Sequence, residues 1–158
     1  MVQRYELQLL DADQPHELVK AVLPAAGRPA RGDALLDTLA RVLADDQGRA
    51  IVTAVQRVLR ILPSDPIPQA AAPTAPEPAD LELDRVVTVI EAQMSGVAES
   101  MRLDRFFEVA TELPAAVDHF FTDVQVIHPD PAIRAARLGL LRRVADVAGT
   151  EIDWAAIG

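Results

Sequence analysis

The chain has no cysteine, only one lysine (Lys20) and only six aromatic side chains among its 158 residues. The absence of cysteine excludes disulfide frameworks, thiolate-bound zinc, iron–sulfur clusters and thiol catalysis. No run approaches the ~18 consecutive apolar residues of a membrane span. The opening Met1-Val2-Gln3-Arg4-Tyr5-Glu6 lacks the apolar core of a secretion signal. The expectation is therefore a cytoplasmic chain without a membrane partner. Phosphate-cradling glycine loops, a GxSxG elbow and an HExxH helix are also missing, so no catalytic residue is expected. His16, His119 and His128 stand alone, with no second ligand one helical turn away. They read as capping or solvent-facing side chains, and neither a metal nor a cofactor is expected in this chain. The neighbouring acids Asp45 and Asp46 would diverge on a helix, so they read as an acidic helix end and not as a catalytic pair.

What the sequence does hold is alanine, 27 residues of it, within a chain that is half hydrophobic. Alanine loses no side-chain entropy in a helix, so this composition favours an all-α fold. Six of the twelve prolines fall between Pro63 and Pro78. Their fixed φ angles and missing amide hydrogens forbid a helix there, which divides the chain into residues 1–62, a Pro/Ala-rich linker 63–79, and residues 80–158. Before the linker, apolar spacing predicts helices over Gln3–Leu10, Gln14–Leu23 (with Asp13 as N-cap and Pro15 in the first turn), Asp33–Ala44 and Gly48–Leu62. After it, a stripe of Leu83, Val86, Val87, Ile90, Met94, Val97 and Met101 predicts one long helix, Asp80–Met101. Asp104–Glu112 and a helix opened by Pro114 follow. Asp130-Pro131 marks a helix start, with an acceptor at the N-cap and a preset φ at N1, and Gly149 marks its end. Val124-Gln125-Val126-Ile127 alternates but has no partner run, so it reads as a helix end with a loop.

The formal charge is −9, which argues against a surface devoted wholly to nucleic acid or anionic lipid. Its distribution is uneven. Gln47–Leu62 holds Arg49, Arg57 and Arg60 with no acid, and Pro131–Ala148 holds Arg134, Arg137, Arg142 and Arg143 against Asp146. Each segment carries +3, which leaves −15 on the rest. Arg49, Arg57 and Arg60 share the face opposite the apolar stripe of their helix. A ridge that contacts phosphates or bases is one reading, and a solvated face paired with acidic neighbours is the other. Arg137 differs, because it falls within the apolar arc of Ile133, Leu140, Leu141, Val144 and Ala148. A charge in such an arc needs a buried acceptor. The sequence offers Asp118 and Asp123, and the expected ion pair is Arg137 with Asp118, tying the last helix to the one before it.

Two stretches resemble a known family. Leu113-Pro114-Ala115-Ala116-Val117-Asp118-His119-Phe120-Phe121-Thr122-Asp123-Val124-Gln125-Val126-Ile127, followed by Asp130-Pro131-Ala132-Ile133-Arg134-Ala135-Ala136-Arg137-Leu138-Gly139-Leu140-Leu141, is similar to the "VDxFFDxVxVM … LRxNRLxLL" pattern. That pattern belongs to the C-terminal, DALR-type anticodon-binding domain of the bacterial glycyl-tRNA synthetase β subunit. Ala54-Val55-Gln56-Arg57-Val58-Leu59-Arg60-Ile61-Leu62 is similar to that family's "AxKRVxNIL", which a variable Pro/Ala-rich linker also follows. The tail Ile152-Asp153-Trp154-Ala155-Ala156-Ile157-Gly158 resembles the family's own ending. Arginyl-tRNA synthetases share a related bundle, but Phe120-Phe121 and the linker favour the glycyl β subunit. The chain departs from the pattern at Gln56, Arg60, Thr122 and Ala136.

The resemblance implies an all-α helical bundle of the class I synthetase anticodon-binding type. It also implies a role in holding the anticodon region of tRNA(Gly), with Arg57, Arg60 and Arg134 as the RNA-binding residues on one surface. The implied partners are that tRNA, the rest of the β subunit and the α subunit, with no DNA. ATP and magnesium are implied only for the full synthetase. The alternative is a non-catalytic scaffold or protein-interaction domain that has kept the bundle and lost the RNA surface.

Overall fold

Apolar residues at helical spacing become helices along almost the whole chain. The computed structural model describes residues 2–67 and 76–158. Eight α-helices appear among them, and no strand: α1 (Val2–Asp11), α2 (His16–Val22), α3 (Pro29–Leu43), α4 (Asp46–Ile61), α5 (Pro78–Met94), α6 (Arg102–Val109), α7 (Leu113–Asp123) and α8 (Pro131–Ala148). Short 3-10 turns occupy Leu23–Ala25, Glu99–Met101 and Trp154–Ala156. The middle of the expected linker, residues 68–75, lies outside the described residues. None of the described helices is long and apolar enough to cross a membrane.

Three local expectations need correction. Asp13 does not cap α2. It closes α1 instead, at φ +61°, while Gln14 N–H donates to the Leu9 carbonyl (3.3 Å) and Asp13 N–H to that of Leu10 (3.1 Å). This is the Schellman pattern, with Asp at the left-handed position that Gly usually fills. The long helix expected over Asp80–Met101 stops at Met94, because Gly96 turns the backbone to φ +74°. Val97 and Met101 therefore fall outside the stripe, and Met101 is exposed. At its other end α5 begins at Pro78, two residues before the expected start. Pro78 supplies a preset φ in the first turn, and the Asp80 carboxylate accepts from the Glu77 amide at 2.9 Å.

Helices α4, α7, α5 and α8 form a ring in which each packs against two neighbours. Their directions follow from side-chain pairs. Gln47 donates to the Thr111 carbonyl (2.9 Å) and Arg57 pairs with Asp118 (3.0 Å), so α4 and α7 run parallel. Arg85 pairs with Glu112 (2.7 Å) and His119 with Glu82, which sets α5 antiparallel to α7. Arg137 meets Asp80 (3.0 Å) and Arg143 meets Glu91, which sets α8 parallel to α5. At one end of the bundle α4 and α7 finish while α5 and α8 begin. The 124–130 loop crosses that end along one diagonal, from α7 to α8.

Ile51, Val55 and Val58 of α4, Leu83 and Ile90 of α5, Val117 and Phe120 of α7, and Leu141 and Val144 of α8 are almost fully buried between the four helices. Full burial of such side chains contributes roughly 1.5–3 kcal/mol each, which fixes the ring. Helices α1–α3 pack along its side. There Tyr5 lies so close to Gly32 that a Cβ would stand 2.1 Å from the phenol oxygen. Burial, helped by a 3.0 Å hydrogen bond to Asp33, pushes the Tyr5 pKa up to about 12. The C-terminal tail folds back, Asp153 N–H donating to the Ala21 carbonyl at 2.7 Å. Trp154 sits against Phe106 and Phe107, with ring centroids 5.8 and 6.0 Å away.

Candidate nucleic-acid interface

The two basic helices of the sequence are α4 and α8, and the structure neutralises about half of their charge. Arg49 pairs with Asp46. Arg143 donates to Asp84 (2.5 Å), to the Thr88 hydroxyl (2.9 Å) and to Glu91. Arg57 binds Asp118 at 3.0 Å, and its guanidinium carbon lies 5.0 Å from the centroid of the Phe121 ring. Phe121 in turn meets Phe120 edge-on at 5.7 Å. Arg57 therefore joins α4 to α7 through an ion pair and a cation–π contact, the geometry of a packing residue with one side open to solvent.

Arg137 is only 5% exposed, in keeping with its place on the apolar arc. Its partner is not Asp118. The Nε and Nη2 atoms donate to the two carboxylate oxygens of Asp80 at 3.0 and 3.1 Å, Nη2 also reaches Glu77 at 3.1 Å, and Nη1 donates to the Gln125 carbonyl at 2.8 Å. The sequence-based pairing fails because α7 and α8 lie diagonally across the bundle. Asp118 instead faces α4, and Asp123 is held by His119 at 2.6 Å. What packs on the buried face of α8 is the first turn of α5, where Asp80 is itself 7% exposed. The Arg137 pKa is raised, foremost by the hydrogen bond to Asp80, against the opposing effect of burial.

Nine of the fifteen bases form ion pairs in this way. Among the described residues, Arg4, Lys20, Arg60, Arg102, Arg134 and Arg142 have no carboxylate within ion-pair distance. Three of these six belong to α4 and α8. Arg60 is exposed in the last turn of α4. Arg134, in the first turn of α8, donates to the His128 carbonyl at 3.1 Å. Arg142 donates to the Pro63 carbonyl, just past α4, at 3.2 Å. A carbonyl orients a guanidinium without cancelling its charge, so Arg134 and Arg142 are held in place and remain cationic. Asp130, one turn before Arg134, is engaged in capping α8 through the Ala132 amide at 2.8 Å.

By helix direction, Arg60 and Arg134 lie at the same end of the bundle, the end crossed by the 124–130 loop. Arg57 sits about one turn below Arg60. Arg142 was not singled out from the sequence. Only the fold brings Pro63 beside it. Among the histidines only His119 departs from expectation. His128 caps locally, its Nδ1 accepting from the Asp130 amide at 3.0 Å, but His119 is clamped between Glu82 of α5 and Asp123 of its own helix.

Comparison with known proteins bears on these helices. Residues 50–152 match the family described as the DALR anticodon binding domain. The chain is 35% identical over 133 residues to the glycine–tRNA ligase β subunit of Anaeromyxobacter dehalogenans (strain 2CP-C), which covers 81% of this chain and 19% of that protein. It is 33% identical over 159 residues to the glycine–tRNA ligase β subunit of Aromatoleum aromaticum (strain DSM 19018 / LMG 30748 / EbN1), covering 97% of this chain and 22% of that one. The chain thus spans about one fifth of the length of these relatives.

Proposed function

Because the chain belongs to the DALR anticodon-binding domain family, we propose that it binds the anticodon region of tRNA(Gly) through the bundle end carrying Arg60 and Arg134. On this reading it contributes recognition to glycyl-tRNA formation, alongside the remainder of a β subunit and an α subunit. ATP and magnesium would be handled by those other parts. The observation that carries the proposal is the survival of uncompensated arginines on α4 and α8, within the matched residues, in a protein whose net charge is −9. Unstacked loop bases and their flanking phosphates are read by such side chains, and oriented guanidinium groups suit phosphate oxygens. Arg57 enters the interface from its Phe121 stack and contributes less to charge, since Asp118 already balances it.

Titration of the chain with tRNA(Gly) and with an anticodon-altered tRNA tests the proposal. Three arginine contacts to single-stranded RNA predict that the logarithm of affinity falls against that of salt with a slope of roughly −2. Arg60→Gln and Arg134→Gln each make that slope shallower by about 0.7. Equal affinity for the two tRNAs, or none for either, counts against the proposal.

A further inference from the structure

The 124–130 loop joins α7 to α8 at the bundle end that carries Arg60 and Arg134. Val124 and Val126 are its only buried side chains, and Ile127, Pro129 and Asp130 are exposed. Among the described residues, 125–129 make no backbone–backbone hydrogen bond. Side chains shape this loop instead. Arg137 donates to the Gln125 carbonyl at 2.8 Å, Arg134 to the His128 carbonyl at 3.1 Å, and the Asp130 amide to His128 Nδ1 at 3.0 Å. Of the three, only the first comes from a side chain that is itself fixed. Arg137 is buried, with Nε and Nη2 on the two Asp80 oxygens and Nη2 also on Glu77. A planar guanidinium held along one edge by a carboxylate has little freedom at its other edge, so Nη1 meets the Gln125 carbonyl from a set direction. Arg134 is only partly buried and takes its own direction from the His128 carbonyl.

We infer that Arg137 is a positioning residue for this end of the bundle: it sets the 124–130 loop and, through the His128 carbonyl, aims Arg134. The inference rests on the RNA-binding reading above and adds to it a side chain that acts on affinity without touching RNA. Two conservative substitutions separate this role from the tie between α5 and α8. Arg137→Lys keeps a charge beside Asp80 but loses the planar fork, so it cannot hold Asp80 and the Gln125 carbonyl from opposite edges. Asp80→Asn weakens the tie to α5 and leaves Nη1 on the Gln125 carbonyl.

The test titrates the whole chain with the anticodon stem-loop of tRNA(Gly), well below the melting transition, while NMR follows exchange of the Asp130 amide. Arg137→Lys is expected to weaken binding roughly tenfold, to make the salt slope shallower by about 0.7 and to speed Asp130 exchange. Arg134→Gln weakens binding to a similar degree. Adding Arg137→Lys to it costs no more than about a further twofold, because the group being aimed is already gone. Asp80→Asn lowers the melting temperature but keeps the parent's binding and Asp130 exchange. Should Arg137→Lys not fold, Arg137→Met together with Asp80→Asn, which strands no buried charge, takes its place with the same expectations. Unchanged binding in Arg137→Lys overturns the inference although RNA binding stands. So does an equal loss with and without Arg134→Gln, or a loss in Asp80→Asn that matches that of Arg137→Lys, since either shows a purely structural role. If the parent chain does not bind the stem-loop, the RNA reading and this inference fall together.

Discussion

Arg137 and Asp80 form a buried ion pair that the sequence places 57 residues apart, and the structure sets the cost of breaking it. Asp80→Ala removes both carboxylate oxygens from a guanidinium that is 5% exposed. It also removes the acceptor that caps the Glu77 amide at the start of α5. Breaking a buried pair by deleting one partner costs about 3–5 kcal/mol, and a lost helix cap costs roughly 0.5–2 kcal/mol. Glu77 remains within 3.1 Å of Nη2 but is half exposed, so it offsets only part of the loss. A net destabilisation of about 3–5 kcal/mol is expected, equivalent to a fall of roughly 10 °C in Tm for a chain of this size. Arg137→Ala leaves Asp80 buried with the Glu77 amide as its remaining protein partner, and should cost a similar amount. The double variant should cost clearly less than the two singles combined, with a coupling of about 2 kcal/mol, because neither buried charge is then stranded. Urea unfolding followed by far-ultraviolet circular dichroism gives all four corners of the cycle. A coupling below about 0.5 kcal/mol, the level of independent sites, would refute the assignment of the pair as the tie between α5 and α8.

Three further outcomes are expected. His119 should titrate above its ordinary value of 6.5, held charged foremost by Glu82 and also by Asp123. Its contribution to stability is then full below pH 6.5 and disappears as pH rises through the raised pKa. An NMR titration that puts His119 at or below 6.5, or that is unmoved by Glu82→Gln, contradicts the clamp. Gly48→Ala should destabilise the chain by about 1–3 kcal/mol or more, since an added Cβ would meet the Val42 carbonyl oxygen at 1.9 Å where α4 turns against α3; an unchanged denaturation midpoint would contradict that close approach. Gln56→Ala strands the Trp154 and Ile157 carbonyls that it now binds at 2.8 and 2.6 Å. The expected cost is roughly 1–3 kcal/mol, with faster amide exchange in the tail, and unaltered exchange there would sink the idea that Gln56 anchors it.

Period alone made most of the helices legible. The stripe Ile51, Val52, Val55 and Val58 is buried as the helical period requires, with Leu59 at its edge exposed. On the arc around Arg137 the side chains of Leu141, Val144 and Ala148 are buried while Ile133 and Leu140 are only partly so. Asp130-Pro131 also marks a true start, its carboxylate accepting from Ala132 N–H. The misreadings arose where one residue type serves two backbone roles. Asp13 can cap a helix or adopt a left-handed turn, and only the chain reversal between α1 and α2 selects the second. A stripe can continue in sequence through Gly96 after the helix has ended.

The candidate interface was harder to read, because charge compensation is a property of neighbours in space. Arg57 and Arg60 are three residues apart on one helix, yet Asp118 meets the first and no described carboxylate meets the second. Nothing in the local pattern separates them. Ile127 was visible only as the end of an alternating run. Its exposure depends on how the loop crosses the bundle, which no local window reveals.

The diagonal placement of α4 and α5 also sets how short the Pro/Ala-rich segment between them could be. Packed helices lie about 8–10 Å apart, so the diagonal from α4 to α5 is on the order of 13 Å. An extended chain covers roughly 3.3–3.6 Å per residue, so about four residues could bridge the gap. Sixteen residues lie between Ile61 and Pro78. Closing the fold needs only a fraction of that length, and each doubling of loop length costs only about 0.6 kcal/mol. The bundle therefore places a floor on the length of this connection and almost no ceiling. Insertions and deletions there can accumulate without touching the helices they join.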